Sequence, residues 1–225
     1  MTSRPIAFGS ALVAAALLSF VSLDACARAG EVPARWQPGT NYTQLEAPQA
    51  KAAAKGKVEV LEIFWYGCGH CFVLDPALES WKAGKPEYVE FTRVPVMWGP
   101  AHAQHAKLFY TLHALKRDDL HAKVFAAIHE GGQMLASPDE IATREMHQKF
   151  LADNGVSTKD FNAAYDSMSV ATQLRRADDL TRAYQIASVP VIIVNGKYST
   201  GVSLAGGIPQ LLNLINDLAA SEKGR

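Results

Sequence analysis

From Val58 to Phe64 the chain reads Val-Glu-Val-Leu-Glu-Ile-Phe, rich in β-branched and aromatic residues, and predicts a strand running to about Trp65. From Cys68 to Ala83, Phe72, Leu74, Leu78 and Trp81 recur at helical spacing, with Gly84 as the stop and Pro76 marking a kink or a restart. Val89 to Val96 predicts another strand. Beyond Gly99-Pro100 the pattern becomes purely helical: Ala106, Phe109, Leu112 and Leu115 suit one amphipathic helix, Val124 and Ile128 the next. Ser137-Pro138-Asp139-Glu140 predicts a helix start, with Ser137 as the cap and Glu140 closing a capping box, and Ser157 with Asp160 begins another. A longer helix is predicted from Val170 to Gln185. Val191 to Val194 then reads as a buried strand, Asn195-Gly196 as a tight hairpin into Lys197-Tyr198-Ser199, and Gly206-Gly207 as the lead into a last helix, Pro209 to Ala219.

Upstream, Glu31 to Thr40 reads as an extended leader, Tyr42 to Leu45 as a short strand, and Ala47 to Lys57 as a connection interrupted by Pro48 and Gly56. Strand and helix units thus flank a wholly helical middle. The economical architecture is an α/β domain, residues 30–100 and 172–225, interrupted by an all-helical insertion over residues 101–171. The last strands are too few to stand as a domain of their own.

Composition narrows the function only slightly. With 225 residues, 48% of them apolar, the chain can bury a full core, and its formal net charge of zero gives no long-range attraction to nucleic acid, which is not expected as a partner. The N-terminus adds more. Arg4, the apolar stretch Ile6 to Leu23 and Ala27-Arg28-Ala29 follow the plan of a secretory signal peptide, residues 1–29, cleaved near Ala29. An uncleaved membrane anchor and a lipid attached to Cys26, after Leu23-Asp24-Ala25, are the alternatives.

Cleavage removes Cys26 and leaves Cys68 and Cys71, too close to staple distant parts of a fold. In an exported protein such a pair reads as a redox couple. Cys68 stands where a helix begins, so unpaired backbone N–H groups and the helix dipole favour its thiolate, while Cys71 lies one turn inward and should be shielded. His70, between them, can donate to that thiolate or favour it by charge. Glu62 shares its strand face with Val58, Val60 and Phe64, so alternation points a carboxylate into an apolar layer beneath the thiols, where a raised pKa would let it relay the Cys71 proton. The alternative is a structural Glu62 paired with a Lys or Arg. Half a zinc site is disfavoured because no second Cys pair or paired His follows, so no metal is expected. His102 and His105 share a helix face at a spacing that suits a metal but are expected to face solvent, and His113, His121, His129 and His147 carry no signal.

Phe64-Trp65-Tyr66-Gly67-Cys68-Gly69-His70-Cys71, Val189-Pro190 and Val194-Asn195-Gly196-Lys197-Tyr198 together resemble the periplasmic thiol:disulfide oxidoreductases of the DsbA type, and the resemblance extends from Tyr42-Thr43-Gln44-Leu45 to the last helix. It departs at Gly69-His70, where the family commonly has Pro-His; Gly-His is also found in protein disulfide isomerases. The resemblance implies a thioredoxin fold with an inserted helical domain and a monomer without cofactor in the periplasm. It implies oxidation of cysteines in reduced, newly exported polypeptides, and reoxidation by a quinone-linked membrane partner of the DsbB type. An acidic residue occupies the place of Glu62, and the proline matching Pro190 is cis and faces the cysteines. Substrate would lie along Gly69, Val189 and Pro190, pairing with the Val189 backbone. The rival readings are a periplasmic disulfide reductase or isomerase and, outside enzymes, a metal- or thiol-binding carrier.

Overall fold

The computed structural model describes residues 1–2, 30–46 and 53–224. Most of the signal segment, including Cys26, and most of the connection after Leu45 lie outside the described residues. The sheet has the order β1-β5-β4-β2-β3, formed by β1 (Thr43–Gln44), β2 (Val58–Phe64), β3 (Val89–Pro95), β4 (Val191–Val194) and β5 (Tyr198–Thr200). β2 runs parallel to β3 and antiparallel to β4. Every residue of β2 is buried, which a strand covered on both faces requires and which explains its nearly unbroken apolar run.

Alternation along β2 assigns the two faces. Val58 and Val60 pack with Leu74, Leu78 and Trp81 of α1 (Gly69–Gly84) and with Leu211, Leu214 and Leu218 of α8 (Ile208–Glu222). Leu61 and Ile63 face the other way, toward Tyr110 of α2 (Pro100–Ala114) and Val170 and Ala177 of α6 (Met168–Ala183). α6 straddles the domain boundary expected at residue 171. A third core gathers Phe64, Tyr66 and Cys71 with Leu108 and Leu112 of α2 and with residues of α3 (His121–His129), α4 (Glu140–Asp153) and α5 (Thr158–Tyr165). The helical section therefore closes directly over the inner cysteine. A short α7 (Val202–Ala205) precedes the last helix.

The hairpin turn holds Asn195 and Gly196 at φ 56° and 67°, the left-handed pair that a two-residue turn between twisted strands needs. Glu222 at the end of α8 fastens it, accepting from Asn195 Nδ2 and Lys197 Nζ at 2.8 Å each and from the Tyr198 hydroxyl at 3.1 Å. Ser157 caps α5 as its sequence predicts: its hydroxyl accepts the Asp160 N–H at 3.1 Å and donates to the Asp160 carboxylate at 2.7 Å.

Two expectations are corrected. Ser137 does not cap α4; Asp139 does, accepting from the N–H groups of Ile141 and Ala142. The Ser137 backbone N–H is instead directed to Gln104 Oε1 on α2 and to Thr143 Oγ1, which keeps Ser137 outside the helix and leaves the cap to the next good capping side chain. Nor does the pair His102 and His105 face solvent. His105 is buried, as are His121 and His147; the irregular segment between α3 and α4 has main-chain carbonyls that need donors, and His105 Nε2 lies 2.6 Å from the Met134 carbonyl and His147 Nε2 2.8 Å from that of Leu135, while His121 Nδ1 lies 2.8 Å from the Tyr66 hydroxyl. His102 is half-buried, its ring 4.2 Å from that of Trp65.

Candidate active site

β2 ends at Phe64 and α1 begins at Gly69, so four residues carry the chain from sheet to helix. The turn is closed by the Cys68 N–H donating to the Trp65 carbonyl at 3.0 Å. Gly67 is required there, since a Cβ would lie 2.4 Å from the Trp65 indole, which folds back over the turn. Cys68 is left as the N-cap of α1, with extended φ −88° and ψ 114°. Its sulfur accepts the Cys71 N–H at 3.4 Å and lies 3.6 Å from the Val189 carbonyl oxygen. Val189 precedes Pro190 through a cis peptide bond, as the resemblance implies, and its carbonyl brings the loop before β4 to Cys68.

The two sulfurs are unequal. Cys68 is half-buried and Cys71 fully buried, both as free thiols. The hydrogen bond from the Cys71 thiol brings the Cys68 pKa down from 9.0 to about 6 against the opposing effect of burial, helped by the backbone N–H groups of Cys71 and His70 and by the charge of His70. The same hydrogen bond, burial and the nearby charges of Cys68 and Glu62 push Cys71 up. His70 and Gly69 are exposed. A Cβ on Gly69 would meet nothing within 4 Å, so the space beside Gly69 is open, and Val73, four residues on in the same helix, is 63% exposed.

Beneath Cys71, Glu62 is buried and pairs with Arg93, its direct neighbour in the β2–β3 ladder, at 2.7 Å. Arg93 is also buried and reaches Asp75 at 2.8 Å and Glu79, both on α1. Glu62 is thus an ion-pair partner, as the structural alternative holds. Yet burial outweighs the attraction and hydrogen bond of Arg93, and with the charges of Asp75 and Glu79 raises its pKa from 4.5 to about 7. A carboxyl that gains or loses a proton near neutrality therefore lies close enough to Cys71 to shift its ionisation. A cavity of about 410 Å³, lined by Phe91, Arg93, Tyr110 and Arg176 among others, has neither thiol in its lining.

Residues 59–213 match the family model of the DSBA-like thioredoxin domain. The chain is 38% identical to the thiol:disulfide interchange protein DsbA of Azotobacter vinelandii, with 94% of this chain and 97% of that protein covered. The crystal structure of Pseudomonas aeruginosa DsbA superposes with a TM-score of 0.77 at 35% identity, covering 84% of this chain and 95% of that one. That of the oxidoreductase DsbA from Xylella fastidiosa gives 0.76 at 26% identity, covering 87% and 100%. The chain belongs to the DsbA-like thioredoxin family. It is a protein disulfide oxidoreductase, with the thioredoxin fold interrupted by helices that the family implies, and thiol:disulfide interchange is its activity.

The residues expected at a DsbA-type site converge here: Cys68, Gly69, His70 and Cys71 at one helix end, Val189 against Cys68 with Pro190 next in the chain, and Glu62 near enough to bear on Cys71. Sequence reasoning missed Arg93, Asp75, His121 and Tyr66, which continue the buried polar cluster. His121 Nδ1 lies 2.8 Å from the Tyr66 hydroxyl, and its Nε2 3.2 Å from Asp75, without a well-aligned hydrogen bond. The available signal was a lone Arg93 on the strand face that carries Val89 and Phe91, matching the lone Glu62 of the neighbouring strand.

Thiolate absorbance of the reduced protein should titrate with a midpoint near pH 6, and Cys71→Ala, which removes the donating thiol, should move it upward; a midpoint near 9 in both would contradict the assignment. Glu62 titrates higher folded than unfolded, so the contribution of its proton is complete below about pH 4.5 and is lost as pH rises through about 7. Urea unfolding of the wild type and Glu62→Gln should show the wild type losing ground by on the order of 3 kcal/mol across that window; a constant difference would contradict the raised pKa.

Proposed function

We propose that this chain is a dithiol oxidase in which Cys68 meets substrate. The observation that carries the reading is the asymmetry of the pair: Cys68 is accessible with a lowered pKa, Cys71 is sealed in the core with a raised one. In the oxidised enzyme a substrate thiolate attacks the Cys68 sulfur, forming a mixed disulfide and breaking the Cys68–Cys71 bond. The electron pair leaves on Cys71, which takes up a proton; Glu62 is placed to supply it. A second substrate thiolate then attacks the substrate sulfur of the mixed disulfide, and Cys68 departs as a thiolate. The substrate has lost two electrons and the enzyme has gained them. Because the departing anion is stabilised by the Cys71 thiol, by the N–H groups of Cys71 and His70 and by the His70 charge, the second displacement runs readily and the reduced enzyme is the favoured product. That direction is already established for the DsbA proteins.

Val189 and Pro190 form the wall against which an extended polypeptide lies, its backbone beside the Val189 main chain, and open space at Gly69 admits it. Such contacts involve no particular side chain and suit unfolded polypeptides of many sequences. The signal peptide sends the chain to the periplasm, where it acts as a monomer without cofactor on reduced exported polypeptides and returns its electrons to a quinone-linked membrane protein of the DsbB type.

The test uses a reduced, unfolded cysteine-containing protein as substrate. The oxidised enzyme should form its disulfides stoichiometrically, Cys68→Ala should abolish this, and Cys71→Ala should accumulate substrate covalently held on Cys68. An enzyme whose Cys68–Cys71 disulfide instead resists reduction, remaining oxidised in millimolar reduced glutathione, would be a reductase, and the oxidase reading would fall.

A further inference from the structure

Tyr66 lies two residues before Cys68, and α3 of the helical section holds it at two points. Its hydroxyl is 2.8 Å from His121 Nδ1, and its main-chain carbonyl accepts the Nε2–H of His129 at 2.8 Å. The two histidines are the first and last residues of α3, about 12 Å apart along the helix axis. The His129 ring also stacks on Phe72, 4.8 Å between centroids and 11° between planes, and Phe72 directly follows Cys71. One helix therefore grips the chain on both sides of the thiol pair.

Each contact meets a need the turn cannot meet itself. The last carbonyl of β2 to receive a ladder partner is that of Phe64, from the Val96 N–H, so the Tyr66 carbonyl, past the strand end, has no sheet neighbour. His129 supplies the donor, and by doing so fixes the plane of the Tyr66–Gly67 peptide. That plane directs the chain into Cys68, whose cap geometry places the sulfur over the Cys71 N–H. At the other end the His121 ring lies between the two groups, its Nδ1 2.8 Å from the Tyr66 hydroxyl and its Nε2 3.2 Å from the Asp75 carboxylate. Asp75 belongs to α1 and is held by Arg93. The phenol is thereby tied to the same helix whose first turn carries Cys71.

We propose that His121 and His129 are positioning residues for Cys68: acting through Tyr66, they set the turn in which the sulfur meets its stabilising N–H and S–H donors, so that the helical section governs how reactive the thiol is. Neither touches the reacting atoms. The inference rests on the reading of Cys68 as the substrate-facing sulfur. A mere packing role makes a different demand, since any side chain filling the space would serve, whereas a positioning role requires an N–H at the Tyr66 carbonyl.

Three variants separate these: His129→Leu fills the space without the donor, His129→Gln restores a side-chain N–H, and Tyr66→Phe removes only the hydroxyl. Thiolate absorbance of the reduced proteins against pH, and the equilibrium with glutathione, are read beside urea unfolding. His129→Leu should raise the Cys68 midpoint by half a unit or more and lower the equilibrium constant for glutathione oxidation by about threefold or more. His129→Gln should return both toward wild type, and Tyr66→Phe should shift them in the direction of His129→Leu. If His129→Leu and His129→Gln lose stability alike while their midpoints and equilibria stay at the wild-type values, the clamp is packing alone and the proposal is overturned. A wild-type midpoint near that of a free cysteine would overturn instead the reading on which it rests.

Discussion

Cys68 caps α1, and the hydrogen bonds that converge on its sulfur from the Cys71 thiol and from the first backbone N–H groups of the helix favour an anion there. Other features of the site follow from keeping that arrangement intact. A helix start offers unpaired donors and the positive end of a dipole, but only a turn of the right shape lays a sulfur across them. Gly67 allows the turn beneath Trp65, the buried β2 fixes its origin, and the cores against α1 and α8 fix the direction of the helix. Because a thiolate stabilised in this way is a good leaving group, one local preference serves both the rate of the second displacement and the oxidising direction of the equilibrium.

The buried charges below the thiols are organised by the same requirement of chemical inequality. Arg93 gathers the buried Glu62 and Asp75 together with the partly exposed Glu79, which Lys82 also pairs, so the cations do not neutralise all three carboxylates equally. The carboxylate nearest the ladder, Glu62, is the one whose proton is held to near neutrality, while Asp75, although burial opposes it, is kept low by His121 and Arg93. Ion pairing and proton exchange are therefore compatible at Glu62: Arg93 holds the group in place, and desolvation keeps its proton affinity high.

Much of this was legible in the chain itself, because it is written in short segments. The strand Val58 to Phe64, the helix start at Cys68, the Asn195-Gly196 turn and the inward aim of Glu62 depend on neighbours two to four residues apart. What could not be read depends on segments that meet only in the folded state. Arg93 became a partner of Glu62 through strand register, and His121 and His129 gained roles because α3 lies across the turn at Tyr66; their own helix pattern shows ordinary polar positions. His105 was misread, and His147 gave no signal, for a related reason, since their partners are main-chain carbonyls of a loop, and a carbonyl in need of a donor leaves no mark in the sequence. The cap at Asp139 was displaced from Ser137 by a contact with α2, again from a distant segment.

The central claim is that the folded reduced form is stabilised by the Cys68 thiolate and that the oxidised form, lacking it, is not. A Cys68 pKa lowered on folding from 9.0 to about 6 contributes stability that is complete above about pH 9 and is lost as pH falls through about 6. Denaturant unfolding of both redox forms over this range tests the claim most directly. The reduced form should be the more stable at neutral and alkaline pH, with its advantage growing from about pH 6 to about 9. A difference that stays constant with pH, or an oxidised form that is the more stable throughout, would contradict the account.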